Sequence, residues 1–162
     1  MNISKRRFLC YGMLSSTVLL FSGCELWGVT TLAHTLKVLQ YDLVPKAKEM
    51  DLNVNSYIFM LLRHKRVRQS DKEFLKNGVK WLNEEAVNTY QKEYAKLAQN
   101  QRQTLLKKVS QEGWGEDFLA DVMRYTFEAM LSDPVYGVNK NELAWKWLDF
   151  EGGLPRPQKG CI

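Results

Sequence analysis

Ser132-Asp133-Pro134-Val135-Tyr136-Gly137-Val138-Asn139-Lys140-Asn141-Glu142-Leu143-Ala144-Trp145-Lys146-Trp147-Leu148 closes one helical run and opens another. Proline excludes the preceding residue from the αR region, so the upstream helix stops at Asp133. Asp133 to Tyr136 has the order of a tight turn, Asp first and Pro second. Gly137 follows, free to take positive φ. Asn139 and Asn141 are residues that bond their own backbone, and Asn141 is placed to cap a short last helix. That helix carries Trp145 and Trp147. Residues two apart cannot share a helix face, so one indole is expected inside and the other outside, where a tryptophan is a typical interface anchor.

Upstream, the apolar residues recur at helical spacing. Phe118, Val122, Tyr125, Ala129 and Met130 mark the inner face of a helix from about Glu116 to Ser132, with Gly113-Trp114-Gly115 read as the break before it. Asn100-Gln101-Arg102-Gln103 resembles a capping box and leads into Leu105, Leu106 and Val109. Ser70-Asp71-Lys72-Glu73 is a second such start, followed by Phe74, Leu75, Gly78 and Leu82. A helix is predicted from about Asn53, with Val54, Tyr57, Ile58, Leu61 and Leu62 on one side. Leu32, Leu36, Leu39 and Leu43 form the earliest stripe, which Thr30 or Thr31 could cap and which Pro45 follows. Period-two alternation of strand length is scarce. The expectation is therefore an all-α fold: a compact helical domain of five or six helices, with an extended Pro/Gly-rich tail over 151–162.

The pattern Asp-Pro-x-Tyr-Gly-x-Asn-(Lys/Arg)-x4-Trp-Lys, carried here by Asp133, Pro134, Tyr136, Gly137, Asn139, Lys140, Trp145 and Lys146, resembles the signature of the gluconate 2-dehydrogenase subunit 3 family. The family's usual Gly-Gly-Asn is Gly137-Val138-Asn139 here, which would strain Val138 if the second glycine needs positive φ. The resemblance implies a small accessory subunit without a redox centre of its own. Its partners would be an FAD-dependent large subunit and a multihaem cytochrome c, with haem c in the latter. It also implies that Asp133, Pro134, Tyr136, Gly137, Asn139, Lys140 and Trp145 serve partner binding, and Trp147 joins them as a candidate anchor on the ground of its spacing from Trp145.

The N-terminal segment reads as an address. The chain has 162 residues and a formal charge of +5, of which Lys5, Arg6 and Arg7 supply three. No acid precedes Glu25, so the remainder is close to neutral, and its basicity is weak support for a nucleic-acid partner. The basic cluster precedes an apolar run from Phe8 to Phe21, shorter than the ~20 residues of a membrane span and typical of an export signal over 1–23. Ser4-Lys5-Arg6-Arg7-Phe8-Leu9 resembles a twin-arginine motif. Its register stays open between Lys5-Arg6 and Arg6-Arg7, and an ordinary secretion signal is the other reading. Phe21-Ser22-Gly23-Cys24 resembles a lipoprotein cleavage box, with Cys24 as the acylated first residue of a mature body spanning 24–150. Cys10 falls in the signal. Cys161 then has no partner in its own chain, which points either to an intersubunit disulfide or to a free thiol on a frayed end. Together these features place the protein in the periplasm, associated with the membrane.

Other chemistries lack their residues. The sequence has two histidines, His34 and His64, and three cysteines, with no Cys-x-x-Cys-His for attached haem and no Gly-x-Gly-x-x-Gly for a dinucleotide. Glu84-Glu85 and Glu116-Asp117 are adjacent acids of the solubilising kind. No catalytic, metal-ligating or cofactor-binding residue is expected. Arg63-His64-Lys65-Arg66-Val67-Arg68 is the densest basic run, suited to an acidic partner, to anionic headgroups, or to a solvated helix end. A stand-alone helical lipoprotein acting as a structural or binding module is the reading from another class.

Overall fold

The computed structural model describes residues 31–155. The export residues Lys5, Arg6, Arg7, Phe8 and Leu9, the cysteines Cys10, Cys24 and Cys161, and the last part of the tail lie outside the described residues. Among the described residues the chain is all-α, without strands. Helix α1 covers residues 31–43, and the helical body starts at His34. It continues as α2 (Pro45–Glu49), α3 (Val54–Arg63), α4 (Gln69–Tyr90), α5 (Gln99–Val109), α6 (Gly113–Leu131) and α7 (Leu143–Trp147). Short 3₁₀ turns sit at Tyr94–Lys96, Pro134–Tyr136 and Lys140–Glu142. No helix among the described residues is long and apolar enough to cross a membrane.

Helix α6 is the centre, packing on α3, α4 and α7. Its buried residues Phe118, Leu119, Val122, Thr126, Ala129 and Met130 follow the three-and-four spacing of one helix face. Thr126 can sit in that face because its hydroxyl donates to the Val122 carbonyl at 2.7 Å. Helix α4 answers with Leu75, Gly78, Val79, Leu82 and Ala86. Gly78 is required by the approach of the two helices, since a Cβ there would fall inside the Phe118 ring. Burying Phe118 is worth about 1.5–3 kcal/mol, and the missing methyl at Gly78 is the condition for it.

The elements depart from the sequence-based expectation at their ends. Pro45 does more than follow α1: it opens α2, using its fixed φ at the first helical position. Helix α4 starts at Gln69 without a side-chain cap. The expected box at Ser70 is replaced by Arg68 Nε donating to Asp71 at 3.0 Å and Gln69 donating to Glu73 at 2.9 Å. At α5 half of a box forms, Gln101 Oε1 accepting the Ala98 N–H at 3.1 Å. Gly113-Trp114-Gly115 is the first turn of α6 and not a break before it. Gly115 is buried there, because any Cβ would strike the Val109 carbonyl at the end of α5.

One polar junction ties α1 to the far side of the body. The Asp42 carboxylate accepts from Arg102 Nε and Nη2 at 2.6 and 3.0 Å and from the Tyr94 hydroxyl at 2.7 Å. Arg102 also donates to the Leu97 carbonyl at 2.7 Å. Burial first, and then the bond to Asp42, push the Tyr94 phenol far above its ordinary range, so it stays a donor. Asn83 completes the set, accepting from the Tyr94 N–H and donating to Thr35.

Candidate functional site

The end of α6 poses a problem that the next residues solve. The last carbonyls of a helix have no partner in the helix itself, and Pro134 brings no N–H to cap them. Side chains supply the donors. Ser132 donates its hydroxyl to the Ala129 carbonyl at 2.8 Å, and the Trp145 indole donates to the Leu131 carbonyl at 2.8 Å. Asn139 Nδ2 donates to the Ser132 carbonyl at 3.2 Å, while its Oδ1 accepts the Ala144 N–H at 2.9 Å. One amide thus ends α6 and begins α7.

Between those bonds the backbone folds tightly. The Asp133 carboxylate accepts the Val135 N–H at 2.9 Å, which starts the Pro134–Tyr136 turn. Gly137 closes it at φ 84°, where a side chain would be strained. Val138 is not in the left-handed region, so no glycine is needed at that position. Its side chain is buried instead, in a cluster with Val44, Ala47, Leu52, Val54, Ala129, Met130 and Ala144. Asn141 does not cap α7 as expected. It sits at φ 56°, beside Glu142 at φ 60°, and Lys146 Nζ donates to its carbonyl at 2.8 Å. Asn139 has taken the capping role from farther upstream.

The motif residues therefore separate by placement. Asn139 is fully buried and Trp145 is 7% exposed, and the polar atoms of both are used within the chain. Asp133, Pro134 and Tyr136 are half-buried, while Gly137 and Lys140 are exposed. Trp147 is 45% exposed, with the Lys46 ammonium 5.8 Å from its ring centre. The two indoles point apart, as their spacing requires.

The sequence reading passed over the apolar residues around Trp147. Leu143, Leu148, Phe150 and Leu154 are all exposed, Leu154 at 86%. Leu143 and Trp147 are four apart on α7 and share a side of it. Phe150 packs edge-on against Trp145, centroids 5.5 Å apart, and its N–H bonds the Trp145 carbonyl at 2.9 Å. Five large apolar side chains are exposed within this dozen-residue strip of sequence, and exposed apolar groups gathered in one stretch are of the kind that marks an interaction surface. The signal was in the sequence, since Leu143, Trp147 and Leu148 cannot all face inward from so short a helix.

The family model for gluconate 2-dehydrogenase subunit 3 matches residues 32–153. The chain belongs to the gluconate 2-dehydrogenase subunit 3 family. No curated protein and no solved structure matches it significantly. As a gluconate 2-dehydrogenase subunit 3 protein it carries the name of a numbered part of a dehydrogenase assembly, and the matched span takes in the tight turns over 133–142 and α7. Among the described residues no group of three or more His, Cys, Asp or Glu is placed to hold a metal ion. Of the adjacent acids, Glu85 pairs with Lys108 at 3.0 Å and Glu84 with Lys80 at 3.7 Å. Glu116 lies in the first turn of α6, where negative charge is favoured. His34 is exposed on α1.

Proposed function

We propose that this chain is the non-catalytic small subunit of a periplasmic FAD-dependent gluconate, or related sugar, dehydrogenase. It binds the flavoprotein subunit through the strip formed by Leu143, Trp147, Leu148, Phe150 and Leu154. The exposure of those side chains carries the reading: large apolar groups left in water are costly, and a partner relieves that cost. FAD belongs to the large subunit and haem c to a cytochrome subunit, to which electrons pass. The small subunit contributes export, maturation and attachment. A flavoprotein that has folded around its cofactor in the cytoplasm cannot thread a channel for unfolded chains. A small companion bearing a twin-arginine signal takes it across folded, and acylation of Cys24 then holds the pair at the membrane.

The test is a pull-down from membrane extract with the tagged full chain as bait. The expected companion has the visible spectrum of a flavin and reduces a dye with gluconate. Dye reduction by the chain alone would overturn the non-catalytic reading. A freely soluble monomer that brings down no flavoprotein would leave the helical lipoprotein as the better description.

A further inference from the structure

Helix α3 ends at Arg63, and the chain reaches α4 through His64-Lys65-Arg66-Val67-Arg68. No acid lies between Asp51 and Asp71. Arg68 is neutralised by Asp71 at 3.0 Å. Arg63, Lys65 and Arg66 are exposed and have no acidic partner among the described residues. Other exposed lysines, among them Lys37, Lys76 and Lys107, also lack an ion pair, but none of them stands in so dense a run of cations without an acid. A solvated helix end accounts for Arg63, which lies in the last turn of α3, where a cation complements the dipole. It does not account for Lys65 and Arg66, which lie beyond that turn. The loop has a set shape: His64 Nδ1 accepts the Arg66 N–H at 3.3 Å, and the Val67 N–H reaches the His64 carbonyl at 3.4 Å.

Apolar surface lies beside the cations. Phe59 and Met60, both half-buried, stand four and three residues before Arg63 on the same side of α3. With Asn53, Asn55, Ser56 and His64 they line an open groove. Unpaired long cations next to a partly open aromatic and a thioether have the composition of a peripheral membrane contact: the charges meet headgroups, and the apolar groups settle at the acyl boundary. A protein partner would be expected to meet planar guanidinium groups with fixed carboxylates. Here Lys65 and Arg66 lie on the loop and Arg63 on the helix end before it, and none has a carboxylate of the chain beside it.

We infer that the α3–α4 loop, with Phe59 and Met60 beside it, rests on a surface of anionic lipid headgroups. This goes beyond the subunit reading and does not depend on Cys24. It also fits the layout of the body. The first residue of α3, Val54, lies in the apolar cluster with Val138 and Ala144 at the foot of α7. The loop is at the other end of α3, about 15 Å away at 1.5 Å per residue.

The test is co-sedimentation of the full chain, carrying Cys24→Ser so that no acyl chain takes part, with phosphatidylcholine vesicles made with or without phosphatidylglycerol. Binding to neutral vesicles measures what the leader's apolar run contributes, and binding of a Lys5→Gln, Arg6→Gln, Arg7→Gln chain to anionic vesicles removes what its basic cluster adds. Phosphatidylglycerol should add binding that raised salt removes. Each cation is worth about fivefold, so in that leader-neutralised background Arg63→Gln, Lys65→Gln and Arg66→Gln together should weaken the anionic component on the order of a hundredfold and leave the neutral component unchanged. Phe59→Ser, with charge intact, should weaken both less. Equal binding of the unmutated chain to the two vesicle types overturns the inference, whatever the variants do. So does unaltered anionic binding of the triple variant. Loss of flavoprotein co-purification by the triple variant, with vesicle binding kept, would assign the loop to an acidic protein surface instead.

Discussion

Asn139 holds two helix ends with one side chain, and it does so where no water reaches. Replacing it by alanine leaves the Ala144 N–H and the Ser132 carbonyl without their partner. Each buried group left unmet costs about 1–3 kcal/mol, so Asn139→Ala should lower unfolding stability by about 2–4 kcal/mol in a urea titration. Asn139→Asp should fall short of full rescue, because the carboxylate accepts from Ala144 and has no N–H to donate. Tyr57 offers a different readout. Burial, and then the nearby Glu128 carboxylate, raise its phenol from the ordinary 10.0 to about 12. The folded chain therefore holds that proton more tightly than the unfolded chain. The resulting stability is fully present below about pH 10 and is lost as pH rises toward 12. Unfolding midpoints measured across that window should fall more steeply for the natural chain than for Tyr57→Phe.

Elements meet where a residue type was chosen for another element's sake, and such choices are hard to read in sequence. The stripes of α1, α3, α4 and α6 were legible, because helical period follows from local spacing. Gly113 and Gly115 read as a break because glycine is a poor helix former. The finding that α6 begins at Gly113 depends on the Val109 carbonyl, which no local pattern places against Gly115. The capping box at Ser70 failed for a similar reason: Asp71 and Glu73 were taken by Arg68 and Gln69. Half of the candidate site was legible too. The opposed faces of Trp145 and Trp147 follow from their spacing, whereas the indole bond to Leu131 requires the turn to have folded first. Gly78 tests the α4–α6 contact. Gly78→Ala should destabilise by about 1–3 kcal/mol despite alanine's better helix propensity, since the methyl meets the Phe118 ring. Adding Phe118→Leu should recover part of that loss, and a double-mutant cycle would read the coupling. The junction of α1 with α5 is sharper. Arg102→Leu strands the Asp42 carboxylate with Tyr94 and should cost about 3–5 kcal/mol. Adding Asp42→Asn removes the stranded charge and should restore part of it.

At the scale of the whole molecule, the apolar strip at α7 and the basic loop at the end of α3 are different in chemistry and separated by the length of one helix. If a flavoprotein sits on the first and headgroups on the second, the two attachments should fail independently. Trp147→Asp with Leu148→Asp places charge where desolvated apolar contact is needed. Both side chains are exposed, so the thermal midpoint should change little. Co-purifying flavin should drop at least tenfold, because a central tryptophan anchor is typically worth 2 kcal/mol or more, roughly thirtyfold in affinity. Vesicle binding should be untouched. The triple change at Arg63, Lys65 and Arg66 should do the reverse. A common loss in both assays from either variant would mean that the strip and the loop serve one partner. Parallel measurement of flavin absorbance and vesicle sedimentation on the same four preparations (natural chain, each variant, and the combination) separates the outcomes. Additive losses are expected, since surfaces sharing no side chains at this distance should not couple.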